Sequence, residues 1–276
     1  MNEYESVYKI LPIDQSLKDI ITGKIKLSYP TTQQPANQLF EFPPALIPLW
    51  SDTSMHYIAY WKHWFSNRKD TFVRLFSFSK YAVEIARNSM QLYYYVIIDS
   101  LSTKDRVTDA CRKFANNVGI NDQITDRIKR YSSEKGAFLS SLIEMDEFGN
   151  NSPLDCYNET DPENYKLDFP HHKMFLDQNT IQNICGYECN ELLLERIKKE
   201  KTIPLWFQSA NQYDNFKILL DKNDFNGAWM CLNTSGWNIG DMKNALTRLS
   251  EKAGNKNFEI LTNAWLSLDF FDEEQI

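Results

Sequence analysis

Three short apolar and aromatic stretches, ALIPLW, HYIAYWKHW and TFVRLFSF, follow one another between Ala45 and Phe78, separated only by the short segments SDTSM and FSNRKD, which hold the polar turns SDTS and SNRKD. Parallel strands need a crossover of about a dozen residues or more. Turns this short leave no room for one, so the three stretches run antiparallel as a meander. In the middle stretch Tyr57, Ala59, Trp61 and His63 point one way, and Ile58, Tyr60, Lys62 and Trp64 the other. Both faces carry bulk, which predicts a central strand covered on both sides. In the third stretch Phe72, Arg74 and Phe76 oppose Val73 and Leu75.

Outside the meander the spacing is helical. Asp14 is placed to cap QSLKDIITG, with Leu17, Ile20 and Ile21 on one face and Gly23 closing the helix. SKYAVEIARNSMQLYYYVIIDSL predicts two helices, capped by Ser79 and Ser89 with a break at Asn88. TKDRVTDACRKFANNVG and NDQITDRIKRYSSEKG are amphipathic, the first ending at Gly119. Residues 146–172 are rich in Asn, Asp and Pro and lack a period, so they read as a linker or long loop. Five helical segments follow, from NTIQNICGYECNELLLERIKKE to KNFEILTNAWLSLDFF, joined by short turns. The expected class is α+β: a small antiparallel sheet packed with helices over 1–145, the linker, then a mainly α-helical part over 173–276.

With 276 residues, 42% of them hydrophobic, the chain can bury a sizeable core. Its net charge of -7, without a basic tract, argues against nucleic acid and anionic membrane, whose phosphates need clustered Lys and Arg. The opening MNEYESVYKILPIDQSL has the pattern of neither a leader nor an anchor. No apolar run approaches the roughly 18 residues of a membrane span. Five scattered cysteines, an odd count, suit reduced thiols in a cytoplasm.

Candidate chemistry is sparse. Cys185 and Cys189, with His171 and His172 upstream, fall short of a zinc ligand set and read as a buried stripe on one helix. His56 and His63 lie seven residues apart and face opposite sides of the strand, so they do not act together. His63, among tryptophans, reads as a packing residue. Phosphate-cradle glycine motifs are missing, and no cofactor or metal is expected. Trp50, Trp61, Trp64 and Arg68, with Lys69 at the rim, stand out instead as a surface for a protein partner, since Trp and Arg give large contact area at modest ordering cost.

FPPALIPLWSDTSMHYIAYW resembles the sheet entry of the SUKH superfamily, the SMI1-like bacterial immunity proteins, at Pro43, Pro44, Leu46, Ile47, Pro48, Tyr57 and Tyr60. FSKYAVEIARNSMQLYYYVI is similar to that family's following helix-break-helix at Phe78, Ile85, Ala86 and Leu92. The resemblance spans about Leu39 to Leu101; Ser51-Asp52-Thr53-Ser54 replaces the family's Gly-Asp turn, and the helical C-terminal part has no counterpart. It implies an α+β protein that clamps a cognate toxin and performs no catalysis. An acidic chain would complement a basic toxin domain. Two other classes stay open: a hydrolase using His63 or His56 with a carboxylate, and a helical scaffold or adaptor.

Overall fold

The computed structural model describes residues 3–28, 32–34, 36, 42–52, 56–66, 68–76, 81–104, 106–136, 139–148, 151–153, 184–189, 194–195, 197–199, 202–208 and 211–268. Among them are nine α-helices and one four-stranded sheet, an α+β architecture with a helical C-terminal part. The strands β1 (Leu46–Ser51), β2 (His56–Trp61), β3 (Thr71–Phe76) and β4 (Tyr81–Ala86) lie in chain order, each antiparallel to the next. The meander therefore forms as its turn lengths require. β2 is internal, and of its residues all but His56 are buried. Edge strand β1 bulges between Pro48 and Trp50, a tolerable place for proline because it has no N–H to give the ladder. The Pro48 carbonyl accepts a 2.6 Å hydrogen bond from the Tyr8 hydroxyl.

The helix expected from Ser79 is instead β4. Its residues pair with β3 from Phe72↔Ala86 to Phe76↔Tyr81. YAVEIA satisfies both periods over so short a span, and the open edge of β3 decides between them. Ser79 itself lies outside the described residues. The break at Asn88 is real, but Asn88 rather than Ser89 supplies the cap. Its Oδ1 accepts the Gln91 N–H at 2.9 Å as α3 (Ser89–Lys104) begins.

Helix α3 is buried on nearly every side from Gln91 to Ile98, as a helix apolar all round must be. Successive residues of a helix point about 100° apart, so its three consecutive tyrosines reach three different places. Tyr93 donates to Asp14 Oδ1 at 2.6 Å, Tyr94 donates to Glu147 Oε1 at 2.7 Å, and Tyr95 accepts from Arg74 Nη1 at 3.4 Å. Burial first, then the partner carboxylates, raise the phenol pKa of Tyr93 and Tyr94, so both stay donors. Asp14, between α1 (Glu5–Ile10) and α2 (Gln15–Ile21), also caps α2 by accepting the Leu17 N–H at 2.9 Å. The amphipathic helices α4 (Asp109–Asn117) and α5 (Asp122–Lys135) form as expected, capped by Thr108 and Asn121, and bury Cys111, Phe114 and Ile128. After α4, Gly119 takes a φ of 80°, a conformation that favours glycine.

Helices α6 (Gln212–Asp221), α7 (Phe225–Leu232), α8 (Ile239–Ala253) and α9 (Lys256–Leu266) begin at the caps Asn211, Asp224, Asn238 and Asn255. One continuous apolar cluster takes residues from the sheet, from α3 to α5 and from these four helices. Two polar ties fix the helices to the sheet entry. Trp265 Nε1 donates to the Phe42 carbonyl at 3.2 Å. The fully buried Asn233 accepts the Ala45 N–H and donates to the Trp229 carbonyl, each at 2.7 Å. Of the expected linker, residues 149–150 and 154–172 lie outside the described residues. No helix among the described residues is long and apolar enough to cross a membrane.

Asn233→Leu keeps the branched outline but strands a buried Ala45 N–H. The expected cost is about 1–3 kcal/mol, read as a lower urea midpoint at unchanged slope. Asp14 carries the pH prediction. Burial pulls its pKa up, but hydrogen bonds from Tyr93, Ser89 and the Leu17 amide win and hold it below the ordinary value of 3.8. A depressed folded pKa contributes stability above the unfolded pKa and loses it as pH falls through the folded one. Asp14→Ala should therefore cost about 0.5–2 kcal/mol at pH 7 and less at acid pH, measured by denaturation at both.

Candidate functional site

The connector between β2 and β3 is more than a polar turn. Asp70 organises it, accepting from the Tyr60 hydroxyl at 2.9 Å, from the His63 N–H at 2.9 Å and from the Lys62 ammonium. Held this way, the connector sends His63 and Arg68 inward. The Arg68 side chain is 10% exposed, and its Nη1 lies 2.6 Å from Glu188 Oε2 while Nη2 lies 3.6 Å from Glu84 Oε2. Glu84, from the middle of β4, also binds Arg87 Nε at 2.7 Å. Two guanidiniums thus face two carboxylates in the interior. Burial opposes the Arg68 charge, but Glu188 and Glu84 outweigh it and raise the Arg68 pKa.

Glu188 arrives on a short 3₁₀ turn, Gly186–Glu188, packed against β4. The single helix predicted through Cys185 and Cys189 does not form here, since both residues have extended backbone on either side of the turn. Two interactions set that shape. Glu188 Oε2 folds back to accept the Cys185 N–H at 3.0 Å. Gly186 lies so close to Thr234 that a Cβ would come within 3.1 Å of its side chain.

These pieces bring together three groups from two distant parts of the chain. A ring nitrogen of His63, the Cys185 sulfur and a Glu188 carboxylate oxygen lie within 4.8 Å of one another. All three residues are buried, at 3%, 0% and 5% exposure. Neither ring nitrogen of His63, nor Glu188 Oε1, has a hydrogen-bond partner among the described residues. Burial, then the Arg68 and Lys62 cations, push the His63 pKa well down, so the ring is neutral. Burial pushes the Cys185 thiol well up, and raises Glu188 against the pull of Arg68. A closed set of imidazole, thiol and carboxylate is poor machinery for acid–base work on an outside substrate, but it has the composition of a ligand set.

The structure relocates most of the expected partner-binding residues. Trp50 and Trp61 are 2% and 0% exposed, and Arg68 is spent on the interior ion pairs. None of the three offers surface in this chain. Trp64 is half-buried, with its ring edge-to-face on Phe258 of α9 and Lys62 Nζ 5.1 Å from the ring centroid. Its neighbour Phe65 packs on Phe225, Trp229 and Phe258. The aromatic margin of the sheet does grip a second surface, but that surface is the chain's own helices. Lys69 alone of the five is exposed. His56 sits apart, with Nδ1 3.1 Å from Asp52 Oδ2 and 3.2 Å from Arg74 Nη2, and its ring against Phe76. His171 and His172 lie outside the described residues.

The N-terminal ends of α6 and α8 border an open groove of about 380 Å³. Its lining includes Gln208, Asn211, Tyr213, Trp237, Asn238 and Asp241. Tyr213 and Trp237 meet edge-to-face at 6.1 Å, and Trp237 Nε1 donates to the Cys231 carbonyl at 2.9 Å, so the aromatic wall is fixed.

Sequence reasoning missed Glu84, Arg87, Glu188 and the groove. Glu84 left a signal, an acid alone among apolar residues in YAVEIA, which demands a buried cation. Glu188 left none, because its role depends on a fold-back that local pattern does not encode. No family model, curated protein or solved structure matches the chain.

Arg68→Ala should cost about 3–5 kcal/mol by leaving buried carboxylates uncompensated. The adjacent Lys69→Ala should change stability by no more than about 0.5 kcal/mol. Chemical denaturation of the two variants side by side checks the contrast.

Proposed function

We propose that this protein acts by binding another protein and transforms no substrate. The groove between α6 and α8 carries this reading. Its described lining is amide, aromatic and hydroxyl with a single acid, Asp241, suited to holding a chain segment through hydrogen bonds and ring contacts. The net charge of -7 favours a basic partner and would speed encounter with one. The resemblance to SMI1-like immunity proteins supplies the most specific version: a cytoplasmic immunity protein that neutralises a cognate toxin with a basic catalytic domain. The four free cysteines among the described residues support a reducing compartment.

Co-expression with the product of the adjacent gene tests it. The expected result is relief of that product's toxicity and a stable complex on size-exclusion chromatography. Reversing the groove's acid, Asp241→Lys, together with Asp214→Lys in the adjoining first turn of α6, should slow association about tenfold or more at low salt and much less at high salt. A harmless neighbour that forms no complex would sink the proposal.

A further inference from the structure

We infer that His63, Cys185 and Glu188 form a site for a divalent d-block cation, zinc foremost, that staples the 3₁₀ turn to the end of the central strand. The site does not depend on what the protein binds at its surface.

The argument starts from an electrostatic debt in the interior. A neutral imidazole has one N–H donor and one acceptor nitrogen. At 3% exposure, with neither nitrogen partnered among the described residues, His63 forfeits two hydrogen bonds it would make in water. Glu188 shows the same pattern on one atom only. Its Oε2 is committed twice, to Arg68 at 2.6 Å and to the Cys185 N–H at 3.0 Å, while Oε1 is uncommitted among the described residues. This is how a coordinating carboxylate is held: one oxygen fixed by outer partners, the other presented to the metal. The Cys185 sulfur completes the trio, and its thiol also meets another soft atom, Met230 Sδ, at 3.6 Å.

The donor set selects the ion. One sulfur, one imidazole nitrogen and one carboxylate oxygen suit zinc and its borderline neighbours, whereas magnesium and calcium demand oxygen shells. The three donors lie within 4.8 Å of each other, and a contraction of about 1 Å closes them around zinc with ligand bonds near 2.0–2.3 Å. On binding, the Cys185 S–H bond breaks, its electron pair forms the sulfur–metal bond, and the proton leaves to solvent. The ion then adds one net positive charge after the thiolate is counted. Glu84, between Arg68 and Arg87, tempers the repulsion from the guanidiniums. His63 is anchored by its own N–H on Asp70, and Cys185 and Glu188 by their mutual fold-back, so the ligands come from two rigid pieces.

The test uses the full-length chain without an affinity tag, purified in reducing buffer, stripped with chelator and then loaded with Zn2+. One ion per chain should survive dialysis, raise the melting temperature and release one proton on binding. X-ray absorption at the zinc edge should show one sulfur at about 2.3 Å with the remaining ligands nitrogen or oxygen. Co2+ in place of Zn2+ should give a single-thiolate charge-transfer band. Cys185→Ser and His63→Gln should each weaken binding about 100-fold or more, since even outer-shell losses cost 10–100-fold, while Cys111→Ser leaves it unchanged. The wild-type spectra need no variant to fold. A chain that retains no zinc, a first shell without sulfur or with two, or binding unchanged in Cys185→Ser would each overturn the assignment.

Discussion

The pairing of Arg68 with Glu188 and Glu84 is the interaction on which the rest of the architecture depends. A guanidinium in the interior is tolerable only if its charge is matched and its N–H groups are met. Arg68 therefore dictates where two other segments go. β4 must present Glu84 inward, and the turn at Gly186–Glu188 must lie against β4. Once that turn is in place, Cys185 and His63 are neighbours and Gly186 is pressed on Thr234, just after α7. A hydrophobic isostere at Arg68 could fill the same space but could not specify which segment docks there, because apolar contacts are non-directional.

The aromatic surplus of the meander plays the complementary part. Trp64 and Phe65 carry the sheet's end onto α7 and α9 through edge-to-face contacts with Trp229 and Phe258 and a tilted contact with Phe225. Such geometry is favoured by ring quadrupoles and adds to the gain from burial itself. The ion pairs choose the register of the docked segments, and the rings supply much of the adhesion. Asn233 and Trp265 then satisfy backbone groups at Ala45 and Phe42 that the packing would otherwise strand.

Much of this fold was legible from residues alone. The short turns on either side of the middle strand forced the antiparallel meander, Asp14 announced the helix it caps, and amphipathic spacing announced α4 and α5. Tyr81–Ala86 defeated the reading because six residues hold barely two helical turns, and the pairing edge that makes them a strand lies elsewhere in the chain. The candidate site was harder still. Trp50, Trp61 and Arg68 drew attention through their type, yet residue type does not tell which side faces water when helices from the far end cover both. Cys185 was noticed for its spacing to Cys189, but its partner His63 comes from far back in the chain, and Glu188, only three residues on, reaches it through a fold-back. Cross-chain assembly of that kind leaves no periodic trace.

Arg68 and Glu188 are 120 positions apart. During synthesis the strands emerge from the ribosome long before the acid that completes their counter-charge, with Glu84 the only half already present. The nascent sheet must wait, its rings uncovered, until the second half of the polypeptide arrives to close over it. Long-range closure of this sort is slow and leaves the unfinished product prone to self-association, so the last-made third of this chain serves as the chaperone of the first.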